Sequence, residues 1–451
     1  MAEQLWAKGL PLDQILHRFT VGEDPVTDLS LLPYDAEASA AHARMLGETG
    51  LLPESEAKAL VAQLKRLKEA ALQGRLVILP EQEDGHTALE AALTEALGET
   101  GKRVHLGRSR NDQVIVALRL LMRDQVLELG AAAAKLAQAF LELAARFEAS
   151  PLPGYTHLRR AMPSTWGQWA AAFAEGLAED LEALPALWQR LDRCPLGAAA
   201  GFGVPLPLDR ARSAELLAFS RVQDSPIDVM NSRGRHELAV LAWIASMAGT
   251  LEKALWDLAL YSTEEFGFVT LPDAFTTGSS IMPQKRNPDV LELARARCRE
   301  LRGLGTLLGH LAGGLPSSYH RDHQFLKRPF LESLAKGKEL LEVCAHLLPG
   351  LRIREQACRD ACSDDLYAAQ EAYRMVADQG LPFRDAYKAV AAQIQAGTFK
   401  PDRGAPAEAH PGSPHLPEFA AASASLSGSG AWLQARRAQL QAATKRLFDW
   451  E

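Results

Sequence analysis

Cysteine is scarce in this 451-residue chain: Cys194, Cys298, Cys344, Cys358 and Cys362 are all there are, scattered and odd in number. Such a set excludes a disulfide framework and fits a reducing compartment, so a cytoplasmic location is expected. Long apolar runs are missing too. Nothing approaches the roughly 18 uninterrupted apolar residues that span a bilayer, and the opening MAEQLWAKGLPLDQ has neither a leader's basic and apolar regions nor transit-peptide character. A soluble protein without a membrane partner is therefore expected. Positive charge is short as well: 49 Lys+Arg against 56 Asp+Glu leave a formal net charge of -7, which excludes a broad attraction for nucleic-acid phosphates. Neither a Gly-rich dinucleotide fingerprint nor a P-loop occurs. No alternating ladder long enough for a principal sheet is found, and no fixed-period repeat.

What the chain does have is core material and helical periodicity. Hydrophobic residues make up 47% and charged residues 23%, the balance of a globular protein. At about 150 residues per domain the length suggests three units. Residues 1–110 read as a mostly helical N-terminal domain, with apolar periodicity over 36–46 and 55–72. Residues 111–362 carry five long apolar-periodic stretches, at 112–149, 164–184, 234–266, 289–311 and 330–348, each bounded by Gly or Pro. Those predict a central bundle of five long helices. Residues 363–451 read as a small C-terminal helical domain, with helices over 365–379 and 383–395 and a last one after a Pro-rich stretch. The fold class is mainly α, in three domains.

Between the long helices lie loops rich in Gly, Pro and Ser, where a bundle can collect distant side chains at its ends. In Gly278–Asp289, GSSIMPQKRNPD, small hydroxyls precede a Lys and an Asn just before a helix. That combination offers a proton-transfer group, a cation and an amide in an anion-binding setting; a solvated helix entry is the plainer alternative. In GYTHLRRAMP, His157 follows Thr156 and can exchange a proton near neutral pH, although a loop His is often only surface. The run Lys102–Gln113, KRVHLGRSRNDQ, is a polar cluster before the longest helix, readable also as capping and salt bridges. In YHRDHQFLKR, Tyr319, Gln324 and Lys327 supply a hydroxyl, an amide and a cation suited to clasping a carboxylate. A basic helix entry is the bland alternative there, and His320 with His323 would make a metal pair only with a third ligand that the spacing does not place. Cys358 and Cys362 share a helical face and read as buried residues.

GSSIMPQKRNPD resembles the GSSxMPxKxNP signature of the aspartase/fumarase superfamily, whose members eliminate fumarate from succinyl-bearing substrates. GYTHLRRAMP, HLGRSRNDQV and the upstream Glu83-Asp84-Gly85-His86-Thr87, together with the spacing of Tyr319, Gln324 and Lys327, are similar to its argininosuccinate lyase branch. The matches keep their order from about residue 80 to 330. The resemblance implies a mainly α, three-domain fold assembled as a homotetramer with a core of twenty long helices, five per chain, and active sites shared by three subunits. It implies no metal and no organic cofactor. The implied reaction is reversible β-elimination of argininosuccinate to arginine and fumarate, with Ser279 as general base and His157 as general acid. Lys285 would assist the base and Glu292 would pair with His157. Asn111, Thr156, Asn287, Tyr319, Gln324 and Lys327 become substrate contacts, with Ser109, Arg110 and His86 as weaker candidates.

Departures from the family pattern cluster near the N-terminus. Where the family usually shows WGGRF and an FN-x-S stretch, this chain reads LWAKGLPLDQILHRFTVGEDPVTDL, and the position of the family's substrate-binding Ser falls near Asp24. Arg159 stands where Gln is common, and His320, Arg321 and His323 replace more usual residues. An N-acylated argininosuccinate, or the substrate of another superfamily member such as adenylosuccinate lyase, is therefore the alternative substrate. A crystallin-like structural scaffold is the non-enzymatic alternative.

Overall fold

The computed structural model describes residues 13–404, 410–414 and 417–450. Local chemistry sets the helix limits. Helix α1 (Gln14–Val21) starts where Asp13 accepts the Ile15 and Leu16 N–H groups, and α2 (Leu32–Glu48) carries Pro33 in its first turn, where no N–H is needed. With α3 (Glu54–Leu72) and α4 (Gly85–Leu97), capped by Asp84, α2 encloses a cluster that includes Ala36, Ala40, Leu60 and Leu64. Glu83 precedes that cap at positive φ.

All five long stretches are helices. They are α5 (Arg110–Arg146), α6 (Trp166–Glu182), α7 (Arg235–Tyr261), α8 (Asp289–Ala312) and α9 (Lys327–Leu347). The 37 residues of α5 run about 55 Å at the usual helical rise. Leu118, Val126, Phe140, Leu177, Leu251, Leu301 and Phe330 interlock across them in one continuous core. The segment Pro226–Tyr261 is apolar enough to cross a membrane by length and composition, yet half of its most apolar window is buried inside the protein.

Beyond residue 363 the packing divides. Helices α10 (Ala368–Gln379) and α11 (Phe383–Gln395) make their own small cluster of Ala372, Ala386 and Val390. The last helix, α12 (Ala420–Phe448), instead returns to the bundle: Leu426 and Leu433 join its core, and Leu447 joins the N-terminal cluster.

Among the described residues the strands form four two-stranded pieces and no principal sheet. The segment containing GYTHLRRAMP, read from sequence as a loop, is a hairpin of β1 (Pro151–Thr156) and β2 (Arg159–Thr165). The register slips between Pro153 and Tyr155, and at Gly154 a Cβ would stand 2.9 Å from the Met162 carbonyl oxygen. Only glycine fits that bulge.

Candidate active site

The polar run before α5 does two jobs. Ser109 is the N-cap of α5: its hydroxyl accepts the Asn111 N–H at 3.2 Å, while Asp112 accepts the Ser109 N–H at 3.0 Å. The other Asp112 oxygen takes the Gly197 and Ala199 N–H groups at 3.1 and 2.8 Å, tying the loop there to the helix start. Asn111 sits half-buried at this end, and Arg110 reaches Asp84 at 3.2 Å.

His86 is buried beneath this corner. Its Nδ1 lies 2.7 Å from Asp35, whose other oxygen accepts the Ser39 hydroxyl, and Ser39 in turn accepts an Arg108 N–H at 2.8 Å. Burial pulls the His86 pKa down, but the Asp35 carboxylate more than offsets it, so the imidazole is held above its ordinary value. Burial likewise pushes Asp35 up, and His86 and Arg108 bring it below the usual carboxylate range. The result is a buried, preformed pair.

A second predicted group joins the same corner from far along the chain. Lys327, at the first position of α9, places Nζ 2.7 Å from Asp24 and 2.6 Å from Asp28. Asp28 also accepts the Gly85 N–H at 3.2 Å, and a Cβ on Gly85 would meet the Asp28 and Leu32 side chains at 3.2 Å. Gln324 donates to the Thr20 and Val21 carbonyls at 3.1 and 2.8 Å. Tyr319 packs half-buried against the core, its ring edge-on to His323. His320 contacts the Pro316 carbonyl, burial lowers His323 to about 4, and among the described residues no three His, Cys, Asp or Glu side chains gather as a metal site.

The two expected proton-transfer groups are arranged differently. His157 and Leu158 form the two-residue tip of the β1–β2 hairpin, at φ 53° and 58°. Two-residue hairpin turns with this hand favour Asn-Gly, and each non-glycine residue so placed costs roughly 1–2 kcal/mol. Thr156, His157 and Leu158 are exposed. Ser279 lies on a loop whose feet are paired by β3 (Thr277–Gly278) and β4 (Arg286–Asn287). Its hydroxyl oxygen accepts the Met282 N–H at 3.1 Å and, more weakly, that of Ile281 at 3.4 Å. Asn287 reaches the Thr277 hydroxyl at 3.5 Å, and Thr277 is also bonded to Asp289. Lys285 and Glu292 are exposed. Within one chain no hydrogen bond or ion pair among the described residues joins His157 to Glu292 or to Ser279.

The structure thus brings His86, Ser109, Arg110, Asn111, Gln324 and Lys327 into one corner. It leaves Thr156 with His157, and Lys285 and Asn287 with Ser279, on two separate projections. Asp28, Asp35, Arg108, Thr277 and Asp289 were not singled out as site residues from sequence. The available signal was only that acidic residues at 24, 28 and 35 recur near helical spacing beside a divergent segment.

Comparison with known proteins adds an independent line. A family profile described as "Lyase" matches residues 12–303. The argininosuccinate lyase of Sorangium cellulosum is 45% identical over 88% of this chain and 92% of its own length. That of Parabacteroides distasonis is 40% identical over 89% and 90%, and that of Thermotoga neapolitana 39% over 87% and 98%. Among solved structures, an EDDS lyase in complex with formate superposes with a TM-score of 0.80 at 24% identity, covering 98% of this chain and 95% of the other. A class II fumarase from Schistosoma mansoni gives 0.72 at 15%, covering 86% and 91%. Those two likenesses speak for the fold.

Proposed function

The chain belongs to the argininosuccinate lyases of the fumarase/aspartase superfamily, and from that premise we propose how its residues carry the reaction. The enzyme is a lyase that cleaves argininosuccinate reversibly into arginine and fumarate, the arginine-forming step of arginine biosynthesis. Ser279 removes a proton from the succinyl carbon beside a carboxylate, and the electron pair moves onto that carboxylate as an aci-dianion. Collapse of the dianion forms the fumarate double bond and breaks the C–N bond, while His157 delivers a proton to the departing guanidino nitrogen.

A serine hydroxyl is a weak base, so its oxygen needs help to hold negative charge. The observation that carries this assignment is the pair of main-chain N–H groups, from Ile281 and Met282, directed at Ser279 Oγ. Lys285 on the same loop adds positive charge as the loop closes and water leaves. Glu292 orients His157, and Asn111, Thr156, Asn287, Tyr319, Gln324 and Lys327, with His86, Ser109 and Arg110 behind them, hold the substrate.

The assembly we propose is a homotetramer in which one chain's corner meets His157 and Ser279 from neighbours. Its support is the exposed apolar side chains on two bundle helices, Leu293 and Leu307 on α8 and Trp256 on α7, at 71%, 47% and 49% exposed, which helices of a neighbouring chain would cover. Five free, buried cysteines suit a cytoplasmic setting. The test is fumarate release followed by ultraviolet absorbance. Wild type releases fumarate from argininosuccinate, and Ser279→Ala and His157→Asn lose it while eluting as the same assembly. Unchanged rates in either variant refute the role given to that residue.

A further inference from the structure

Helix α1 has one side that the fold uses and one that it does not. The inner side is anchored: His17 lies 3.2 Å from Glu83, Val21 is buried, and the Thr20 and Val21 carbonyls accept the Gln324 amide at 3.1 and 2.8 Å, with Arg321 donating to Thr20 at 2.7 Å. The outer side carries Ile15, Leu16 and Phe19, at 70%, 64% and 74% exposed. Phe19 follows the other two by four and three residues, so all three lie on one stripe. A helix of 8 residues has little stability of its own and is held by what it packs on. A contiguous apolar stripe on its open side, unlike single exposed residues, marks an interaction surface.

The serine loop carries the complement. Ile281 is 84% exposed and Met282 beside it 38%. The main-chain N–H groups of these same two residues are the ones directed at Ser279 Oγ, at 3.4 and 3.1 Å. The longer and weaker of the two belongs to Ile281, whose side chain the loop leaves in solvent. Fixing that side chain would fix the N–H that the base needs.

The reading rests on the activity and the assembly proposed above, in which a neighbour brings Ser279 to the corner that holds Gln324 and Lys327. Chain connectivity then decides where Ile281 falls. Two residues span at most about 7 Å, so Ile281 stays beside Ser279, while Phe19 adjoins Thr20, which bonds Gln324. We infer that the outer face of α1 is an intersubunit surface that receives Ile281 and Met282 of a second copy of this chain when that copy's serine loop closes. Docking removes apolar surface from water and holds the Ile281 N–H on the serine oxygen, which makes Ile281 and Phe19 positioning residues for the base. Burying one side chain of this size shifts the closed-to-open ratio by about 10- to 100-fold.

The test is cysteine cross-linking of the intact assembly, for which the five buried native thiols leave a clear background. Ile281→Cys combined with Leu16→Cys or with Phe19→Cys, oxidised in the presence of fumarate and arginine, should give a disulfide-linked pair of chains on a non-reducing gel and lose turnover, and a reductant should restore it. In a double-mutant cycle, Phe19→Ser and Ile281→Ser should each lower kcat about tenfold with KM little changed, and the double variant should lose no more than the worse single, because one contact is removed only once. No linked pair from either combination in an assembly of unchanged size overturns the inference, and so does a link formed within one chain. Losses that multiply in the cycle overturn it too, as does a linked pair that forms only when Leu158→Cys replaces Ile281→Cys, which would give the face to the hairpin. Wild type that elutes as a monomer refutes the assembly and the contact together. Wild type that assembles but releases no fumarate refutes the activity alone, and the cross-link still judges the contact.

Discussion

Two parts of the site are built on opposite plans. The corner formed by α2, α4, the start of α5 and the start of α9 is buried and already paired: His86 with Asp35, Arg108 with Ser39, Lys327 with Asp24 and Asp28. The two projections that carry His157 and Ser279 are exposed or half-exposed, and only main-chain N–H groups and their own turns hold them. Pairing in a buried corner fixes positions before a ligand arrives, so little ordering remains to be done on binding. Groups that must move a proton gain more from meeting the substrate last, when closure and a neighbouring chain exclude water. In the assembly proposed above, one chain would fold a binding half-site and display the reactive half for another.

The largest effects should come from the exposed half, even though it contributes least to stability. Ser279→Ala and His157→Asn should each lower kcat by about 10² to 10⁴-fold, as expected for a lost general base or acid, with unfolding temperatures close to wild type. A variant that instead melts early would break the contrast, because it would make that projection structural.

The buried half should respond in the opposite way. Removing one partner of a buried ion pair costs about 3–5 kcal/mol, so His86→Ala should be strongly destabilised and should lose activity through disorder of the corner. The pH dependence sharpens this. Since His86 is raised above 6.5 in the folded state, its proton's contribution is complete below that value and fades as pH climbs through the raised pKa. Asp35, held low, loses its contribution only at acid pH and does not affect this window. The melting gap between wild type and His86→Gln should shrink as the pH rises above 6.5 and through the raised pKa; a constant gap would mean the pair is neutral.

A smaller effect tests how loosely the serine loop is tied down. Thr277 bonds Asp289 and receives the Asn287 amide, clasping the loop at its feet. Thr277→Val removes about 1–1.5 kcal/mol of hydrogen bonding, so kcat should fall about tenfold with KM little changed, and Thr277→Ser should restore it. Equal loss in the serine variant would assign the effect to packing of the methyl group instead.

How far the sequence disclosed all this depended on the range of the interactions. The five bundle helices were readable because each carries its own apolar stripe and Pro or Gly boundary, a local signal. The serine loop stood out as a Gly- and Ser-bearing segment before a helix, but the short pairing of Thr277–Gly278 with Arg286–Asn287 at its feet carries no pattern long enough to read. The hairpin under His157 was not: its strands are short and interrupted by Pro151, Pro153 and Pro163, and its turn lacks the Asn or Gly that usually marks one. Nor were the pairs that build the corner, since Lys327 and Asp28 lie 299 residues apart and no local period points from one to the other. The same holds for α12, whose return to the bundle core is decided by what Leu426 and Leu433 meet.

The finest test concerns the turn itself. Leu158 is 81% exposed and sits at φ 58°, so its side chain adds strain and little burial within the chain. Leu158→Gly removes roughly 1–2 kcal/mol of left-handed strain and brings back about 0.5–1 kcal/mol of chain entropy. The net is a gain of about 0.5–1 kcal/mol, seen as a small rise in melting temperature. If the strain serves to hold His157 out toward its partner, that rise should come with a few-fold fall in kcat, because a glycine tip samples more conformations. A rise in stability with undiminished kcat would mean that the neighbouring subunit, and not the strained turn, positions the histidine.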